Sequence, residues 1–581
     1  MKYRISVFAF LLFVFLFAFL EWIYKYHFAF IEQNQMFLFT GYYFREMVVH
    51  PGGLAHYIAE FLVQFFVRPY GGSFINAILL TATGILTALI CKRISPSKPL
   101  YILYVLPVIS LLCMHFDFNY LYQGTVAFLL MLGAFYLYIS LRALNMRLLM
   151  GALSVFLLFW WAGPVALLYA LSALLWEGIN RNPKAYLAAI LPVESLVLAF
   201  VSVYFSEIGT FRFAFLPDMY YHNGLVPGKH IYFSWISLFL VLVISKLFHN
   251  SKPISVKKEI VHSVAQLLLI VVIGWLFIAE YIDVKSARLK RFDYCARFEQ
   301  WDPLIEMSKG PLSNYLYMNY LNLALAQKGR LADDLFLYDQ RGIDGLFLPW
   351  NRTLQPSIML SDIHFAIGNS AIAQEMAFES SVSTPGYGNP RLFKRLIQTN
   401  LIYGAYPVAE KYLDILEKTL YYRSWAKKHR DFLYNDEKVE KDPLLGEKRR
   451  CLIDTNFIVN HTSASTDLLL IAAQNPGHKT AIEYFGCAAL LTKDMNQFKN
   501  LIETYYGTDI LPTLPRSFQE AVIILYEGQP EMWEHYKIPE EMIRRFQEYK
   551  KQVLAHRNNS GAANLLRRSF GDTCWFYFMF K

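Results

Sequence analysis

Several chemistries are excluded by what the 581 residues lack. No GxGxxG, P-loop or HExxH pattern occurs, and no GxSxG stands in a plausible context. The usual sequence signs of dinucleotide binding, phosphate cradling, zinc proteolysis and serine hydrolysis are therefore missing. The six cysteines (Cys91, Cys113, Cys295, Cys451, Cys487, Cys574) form no CxxC pair and no metal-like spacing. They read as isolated buried thiols, with pairing in an exported second half as the alternative. Charge is scarce: 17% of residues are Asp, Glu, Lys or Arg, against about 25% in an average soluble chain. The net charge of +9 belongs mostly to Lys and Arg beside apolar runs. That is a topology signal rather than a nucleic-acid footprint, and no nucleic-acid partner is expected.

What the chain has in excess is apolar residues, 55% of the total, and they crowd into residues 1–284. A bilayer core of about 30 Å needs about 20 apolar residues per helix. By that rule the chain is all-α, with a polytopic bundle whose spans fall near 4–24, 73–91, 99–115, 122–141, 148–161, 164–177, 185–204, 231–248 and 263–282. The first span keeps bulky aromatics through its exit, which reads as an uncleaved anchor rather than a signal peptide. Lys2, Arg4, Lys92, Arg93 and Arg142 mark the cytoplasmic side, so residues 25–72 form an exported loop. The run 148–177 is one long helix or a hairpin broken at Ala162-Gly163-Pro164. The count of flanking Lys and Arg ties between the two. Gly ends helices and Pro begins them, and a hairpin puts Trp160 and Trp161 at the headgroup level that tryptophan prefers. The hairpin gives nine spans, a second exported loop at 205–230, and an exported C-terminal half.

From residue 285 the pattern becomes amphipathic helices with short turns. Stretches 319–338, 398–416 and 483–507 each read as a helix, a tight turn and a second helix, with small residues where helices would touch. They resemble tetratricopeptide-like repeats, without a clean period; 339–356 and 434–463 read as irregular insertions. Such a stack would present a concave surface to a partner.

The loop 25–72 is too polar for lipid and too aromatic for an idle linker. Its only carboxylates past Lys25 are Glu32, Glu46 and Glu60, accompanied by His27, His50 and His56. A carboxylate at an exported surface can serve as general base, and His with Glu can hold a divalent cation, the one cofactor these residues suit. His56 and Glu60 share a helical face. The competing reading is an interfacial helix, HYIAEFLVQFFV, with His56, Glu60 and Gln64 on its wet side. Pro51-Gly52-Gly53 punctuates the turn before it. Asp117, beside His115 in an exported turn, is a second acid, and the loop 205–230 adds Asp218 and His222. Arg45, Arg68, Arg212 and Lys229 are the cations able to face a phosphate. Glu194 lies mid-span, two residues after Pro192. A carboxylate there belongs on the bundle interior or a cavity, either as a proton or ion site or as a brace for a bent helix.

Two resemblances follow from these residues. EQNQMFLFT, HPGGLAHYIAEFLVQFF and WWAGPVALLYAL resemble a family of Bacteroidales membrane proteins that carries only a domain-of-unknown-function label. More remotely, the membrane half resembles C-type glycosyltransferases, multi-span enzymes using polyprenyl-phosphate sugars. That resemblance implies a catalytic acid in the first loop, commonly one of an acidic pair. This chain has no Asp and no adjacent pair there, so only Glu32 corresponds. Three functions are carried forward: a lipid-linked-sugar transferase with Glu32 or Asp117 as base and Arg45, His56, Glu60, Arg68, Arg212, Asp218 and His222 around the substrate; a non-catalytic inner-membrane scaffold whose periplasmic repeats bind an envelope protein; and a transporter using Glu194.

Overall fold

The computed structural model describes residues 2–96, 99–180, 182–221, 227–249, 256–282, 284–312, 314–384, 386, 388–453, 464–557 and 559–581. It is helical, with no strand among the described residues, and it divides into two compact units, Met1–Arg288 and Leu289–Lys581. All six cysteines are buried and free.

The first unit contains twelve α-helices: α1 (Lys2–Glu32), α2 (Gly41–Val48), α3 (Gly53–Val63), α4 (Gly71–Ile94), α5 (Tyr101–His115), α6 (Gln123–Ser140), α7 (Leu144–Ala162), α8 (Val165–Ile179), α9 (Ile190–Tyr204), α10 (Phe211–Phe215), α11 (Phe233–Leu247) and α12 (Val256–Tyr281). Among the described residues seven stretches are long and apolar enough to cross a membrane: Ile5–Glu32, Gly71–Ile94, Gln123–Ser140, Leu144–Ala162, Ala185–Tyr204, Lys229–Leu247 and Lys257–Tyr281. α5 and α8 are as apolar but only 15 residues each. At about 1.5 Å per residue they fall short of the bilayer core unless packing holds them at depth. α6 is central. It packs on α3, α4, α7 and α8, while α12 rests mainly on α5.

The chain reverses at Gly163. Its φ of 72° and ψ of −133° lie where only glycine is at ease, and Pro164 then opens α8. The start of α7 meets the end of α8 through Arg147 and Glu177, so the two helices run antiparallel. The bundle thus has two ends. One holds the C-termini of α1, α5, α7, α9 and α12 and is called the loop end below. The other is the basic end.

Two local expectations fail. α1 does not stop near residue 24 but runs to Glu32, because Tyr24, His27, Phe28 and Ile31 extend its buried stripe with helical spacing. The segment after it is correspondingly shorter as a loop. α3 is not an interfacial helix with a wet polar side. Glu60 and Gln64 are buried, whereas Phe61 is exposed and meets Phe37, Phe39 and Phe65 edge-on.

In the second unit one junction recurs six times. A residue of positive φ (Glu299, Gly329, Gly368, Gly404, Lys493 or Lys537) ends a helix. The next backbone N–H (Gln300, Arg330, Asn369, Ala405, Asp494 or Ile538) bonds at 2.7–2.9 Å to the carbonyl five residues back. This Schellman closure satisfies a carbonyl that the helix end would orphan and aims the chain into the next helix. At Gly368 the closeness is absolute: a Cβ would stand 2.8 Å from the Cys451 sulfur. The junctions at 299, 329, 368 and 404 are spaced by 30, 39 and 36 residues, but the next is at 493. Within that gap the helix Lys479–Leu491 packs back on Tyr315–Gln327 and Leu331–Asp334. The helices are therefore not stacked in simple chain order. Residues 454–463, part of the expected insertion, lie outside the described residues.

Candidate functional site

Four segments that are remote in sequence knit together at the loop end. The Gly52 N–H donates to the Trp160 carbonyl at 2.8 Å, and the Trp160 indole donates to the Val48 carbonyl at 3.1 Å. A Cβ on Gly52 would meet the Gly163 Cα at 3.7 Å and the Met219 methyl at 2.6 Å. Gly52 thus answers to the α7–α8 turn and Met219, whereas Gly53 answers to the end of α2, where a Cβ would stand 1.7 Å from the Met47 carbonyl oxygen. The Tyr220 hydroxyl donates to the Ala162 carbonyl at 2.8 Å. The Leu121 N–H and the Gln123 amide donate to the carbonyls of Tyr220 and Met219 at 2.9 and 2.8 Å. Residues 205–221, the turn after α5, the α7–α8 turn and the segment after α1 form one hydrogen-bonded cap.

Within this cap Asp117 is the acid best placed to meet a ligand. One carboxylate oxygen lies 2.9 Å from His230 Nε2, and the other accepts the Asn119 N–H at 2.9 Å. The Tyr221 hydroxyl lies 3.3 Å from the same His230 nitrogen. Burial, reinforced by the charge of Asp117, pushes the Tyr221 phenol well up from its usual range. Asp117 and His230 line an open cavity of about 490 Å³. Phe116, Phe118 and Tyr281 are its aromatic walls, with Glu280 at its edge. The arrangement can position a hydroxyl or amine against a carboxylate whose orientation is already fixed.

The other predicted residues do not join Asp117. Glu32 is buried at the end of α1, and Asp218, 1% exposed, is ion-paired with Arg212; neither lines the cavity. His56 Nε2 lies 3.1 Å from Glu60. Burial drives the Glu60 carboxyl up to about 8 and the His56 imidazole down to about 4, so this contact is a neutral hydrogen bond rather than a salt bridge at neutral pH. Arg45, Arg68 and Lys229 are exposed, and none of them lines the cavity. His222 lies outside the described residues. Glu194 is on the half-exposed flank of α9. The buried stripe of that helix is Leu191, Ser195, Ala199 and Ser202, so the expectation that Glu194 faces the interior fails. Among the described residues no three His, Cys, Asp or Glu side chains gather for a metal ion, and no cofactor is indicated.

Two functional-looking groups escaped sequence reasoning. His230 lies in the 3-10 turn Lys229–Tyr232 that leads into α11, and only its pairing with a residue 113 positions away marks it. Glu177, fully buried at the basic end, binds Arg147 across the α7–α8 hairpin. Neither pair leaves a local motif.

No curated protein and no solved structure matches the chain. One family model does, over residues 1–581, with the description "Family of unknown function (DUF6057)".

Proposed function

The chain belongs to that family of unknown function, which names no reaction, and we propose that it is a scaffold of the bacterial inner membrane whose second unit stands in the periplasm and recruits an envelope partner. The observation that carries this reading is the helix junction repeated six times after the membrane unit. Chains built of repeated helix pairs commonly serve as recognition surfaces.

Sidedness follows from charge. With α7 and α8 antiparallel, Lys92, Arg93, Arg142, Arg147, Lys184, Lys246, Lys257 and Lys258 fall at the basic end. The loop end has Lys25, Arg45, Arg68, Arg212 and Lys229, and Lys285, Arg288, Lys290 and Arg291 follow α12 there; with Lys2 and Arg4 added, the basic end keeps the excess. The positive-inside rule puts the basic end in the cytoplasm. α12 leaves the bundle at the loop end, so Leu289–Lys581 is exported and nine helices traverse the bundle. A reporter active only in the periplasm, fused after Lys581, should be active, and one active only in the cytoplasm silent. The reverse result reverses the topology.

Complementation separates the functions. In cells lacking the protein that show an envelope defect, Glu32→Gln, Asp117→Asn and Glu194→Gln chains at normal levels should restore the wild type. Chains with the repeat surface altered should not. The transferase reading keeps one observation in its favour, Asp117 beside His230 in a cavity at the membrane surface. Among the described residues no lysine or arginine lines that cavity to meet a phosphate. Failure of Asp117→Asn with success of a repeat-surface variant would favour it.

A further inference from the structure

The scaffold reading leaves the loop-end cavity without a role, and its chemistry is specific. We propose that it is a binding site for an ammonium group, carried either by a free amine or by a lipid headgroup. The inference goes beyond the scaffold reading and does not rest on it. Volume comes first: about 490 Å³ lies within the roughly 300–1,000 Å³ of small-ligand sites. Charge comes second. Among the described residues the lining carries two carboxylates, Asp117 and Glu280, one imidazole, His230, already paired with Asp117, and no lysine or arginine. A phosphate or carboxylate ligand would meet like charge there. A neutral polyol would have to desolvate both carboxylates with no charge to offset the cost. A cation is welcomed by both.

Shape comes third. Phe118 and Tyr281 line the cavity with aromatic rings, whose quadrupoles attract an ammonium, and the fully buried Phe116 backs them. The walls are fixed by their own contacts. Phe118 meets the Phe30 ring at a tilt, centroids 4.7 Å apart, and Tyr281 meets the His230 ring at 5.1 Å and the Phe233 ring at 5.7 Å. Asp117 is held by the Asn119 N–H and by His230, so its carboxylate is fixed in orientation at the cavity wall. His230 is a positioning residue: it orients the carboxylate that would touch the ligand. The cavity is built from the ends of α5, α11 and α12 at the surface of the bundle, where both a soluble amine and a lipid headgroup can arrive.

The test uses the full-length protein in detergent, titrated calorimetrically with ethanolamine, tetramethylammonium, dihexanoyl-phosphatidylethanolamine and dihexanoyl-phosphatidylglycerol. Saturable binding is expected for at least one ammonium compound and not for phosphatidylglycerol. Uptake of ethanolamine and tetramethylammonium identifies a free-amine site; uptake of the phosphatidylethanolamine alone identifies a headgroup site. Asp117→Asn should weaken binding about tenfold or more, the loss of one charge-assisted contact. Glu280→Gln, at an exposed helix end where folding is not at stake, should weaken it severalfold. No saturable binding of any ammonium probe, equal binding of phosphatidylglycerol, or affinity unchanged in both variants would overturn the proposal.

Discussion

Glu177→Ala should unfold the basic end of the membrane unit at a cost of about 3–5 kcal/mol, the range for stripping one partner from a buried ion pair. Glu177 is 0% exposed and accepts from Arg147 Nε at 2.7 Å and Nη2 at 2.9 Å. It also accepts from the Tyr138 hydroxyl at 3.1 Å and the Asn182 amide at 3.2 Å. Arg147 in turn donates to the carbonyls of Leu141 and Arg142 at 3.2 and 2.9 Å, covering the end of α6. One carboxylate therefore ties the ends of α6 and α8 to the start of α7. Alanine leaves a guanidinium in a site shaped for two charges. The double variant Glu177→Leu with Arg147→Met removes both charges and should recover much of the loss, because the pair's desolvation cost disappears with its attraction. Thermal melts in detergent decide it. If Glu177→Ala melts with the wild type, or the double variant melts below the single one, the pair does not hold this end together.

The legible part of this chain was whatever a local pattern encodes. Apolar runs of bilayer length announced α1, α4, α6 and α12, and Gly163-Pro164 announced a break in residues 148–177. The tight turns at Gly329 and Gly404 were readable for the same reason: a positive φ demands a small residue. Glu299, Lys493 and Lys537 adopt the same conformation without glycine, so half of the junctions left no mark in the sequence. Burial direction was also hidden. HYIAEFLVQFFV carries polar residues four apart, which fits a wet face or a buried polar seam equally well, and packing against α6 and α7 chose the seam. The site suffered most. Asp117 was readable as an acid in a turn, but His230 and Glu280 come from helix ends more than 100 residues away, and no spacing rule spans that distance. Glu32 attracted attention by position in a presumed loop; once α1 continues through it, that position is a helix end under the cap.

Arg391→Ala is expected to loosen the first half of the second unit without touching the membrane unit. Arg391 reaches Asp293 at 2.8 Å and Asp362 at 2.5 Å, and Arg395 reaches the other oxygen of Asp362 at 3.0 Å. The Tyr320 hydroxyl donates to Asp293 at 3.1 Å, and the Arg395 guanidinium lies 3.6 Å from the centre of the Phe365 ring. The helices Val284–Arg297, Tyr315–Gln327, Leu354–Ala366 and Pro390–Ile402 all contribute. The junction turns fix each helix to its sequence neighbour, whereas this network fixes one helix pair to the next. Burial works against the charge on Asp362, but Arg391 and Arg395 outweigh it and hold the carboxyl below its usual range. A depressed carboxylate contributes stability that is present above its unfolded pKa and is lost as pH falls through the folded one, so the contribution is intact at neutral pH and fades only in acid. Removing Arg391 leaves Asp293 and Asp362 short of a partner in a buried site, worth about 3–5 kcal/mol. Arg391→Lys should recover only part of that, since an ammonium cannot fork between two carboxylates. Hydrogen exchange on the full chain reads the effect by segment: amides of Tyr315–Gln327 and Leu354–Ala366 should exchange on the order of a hundredfold faster in Arg391→Ala, with those of α4 and α6 unchanged. Equal protection in both proteins would mean that apolar packing alone binds the helix pairs, and that the buried charges specify nothing.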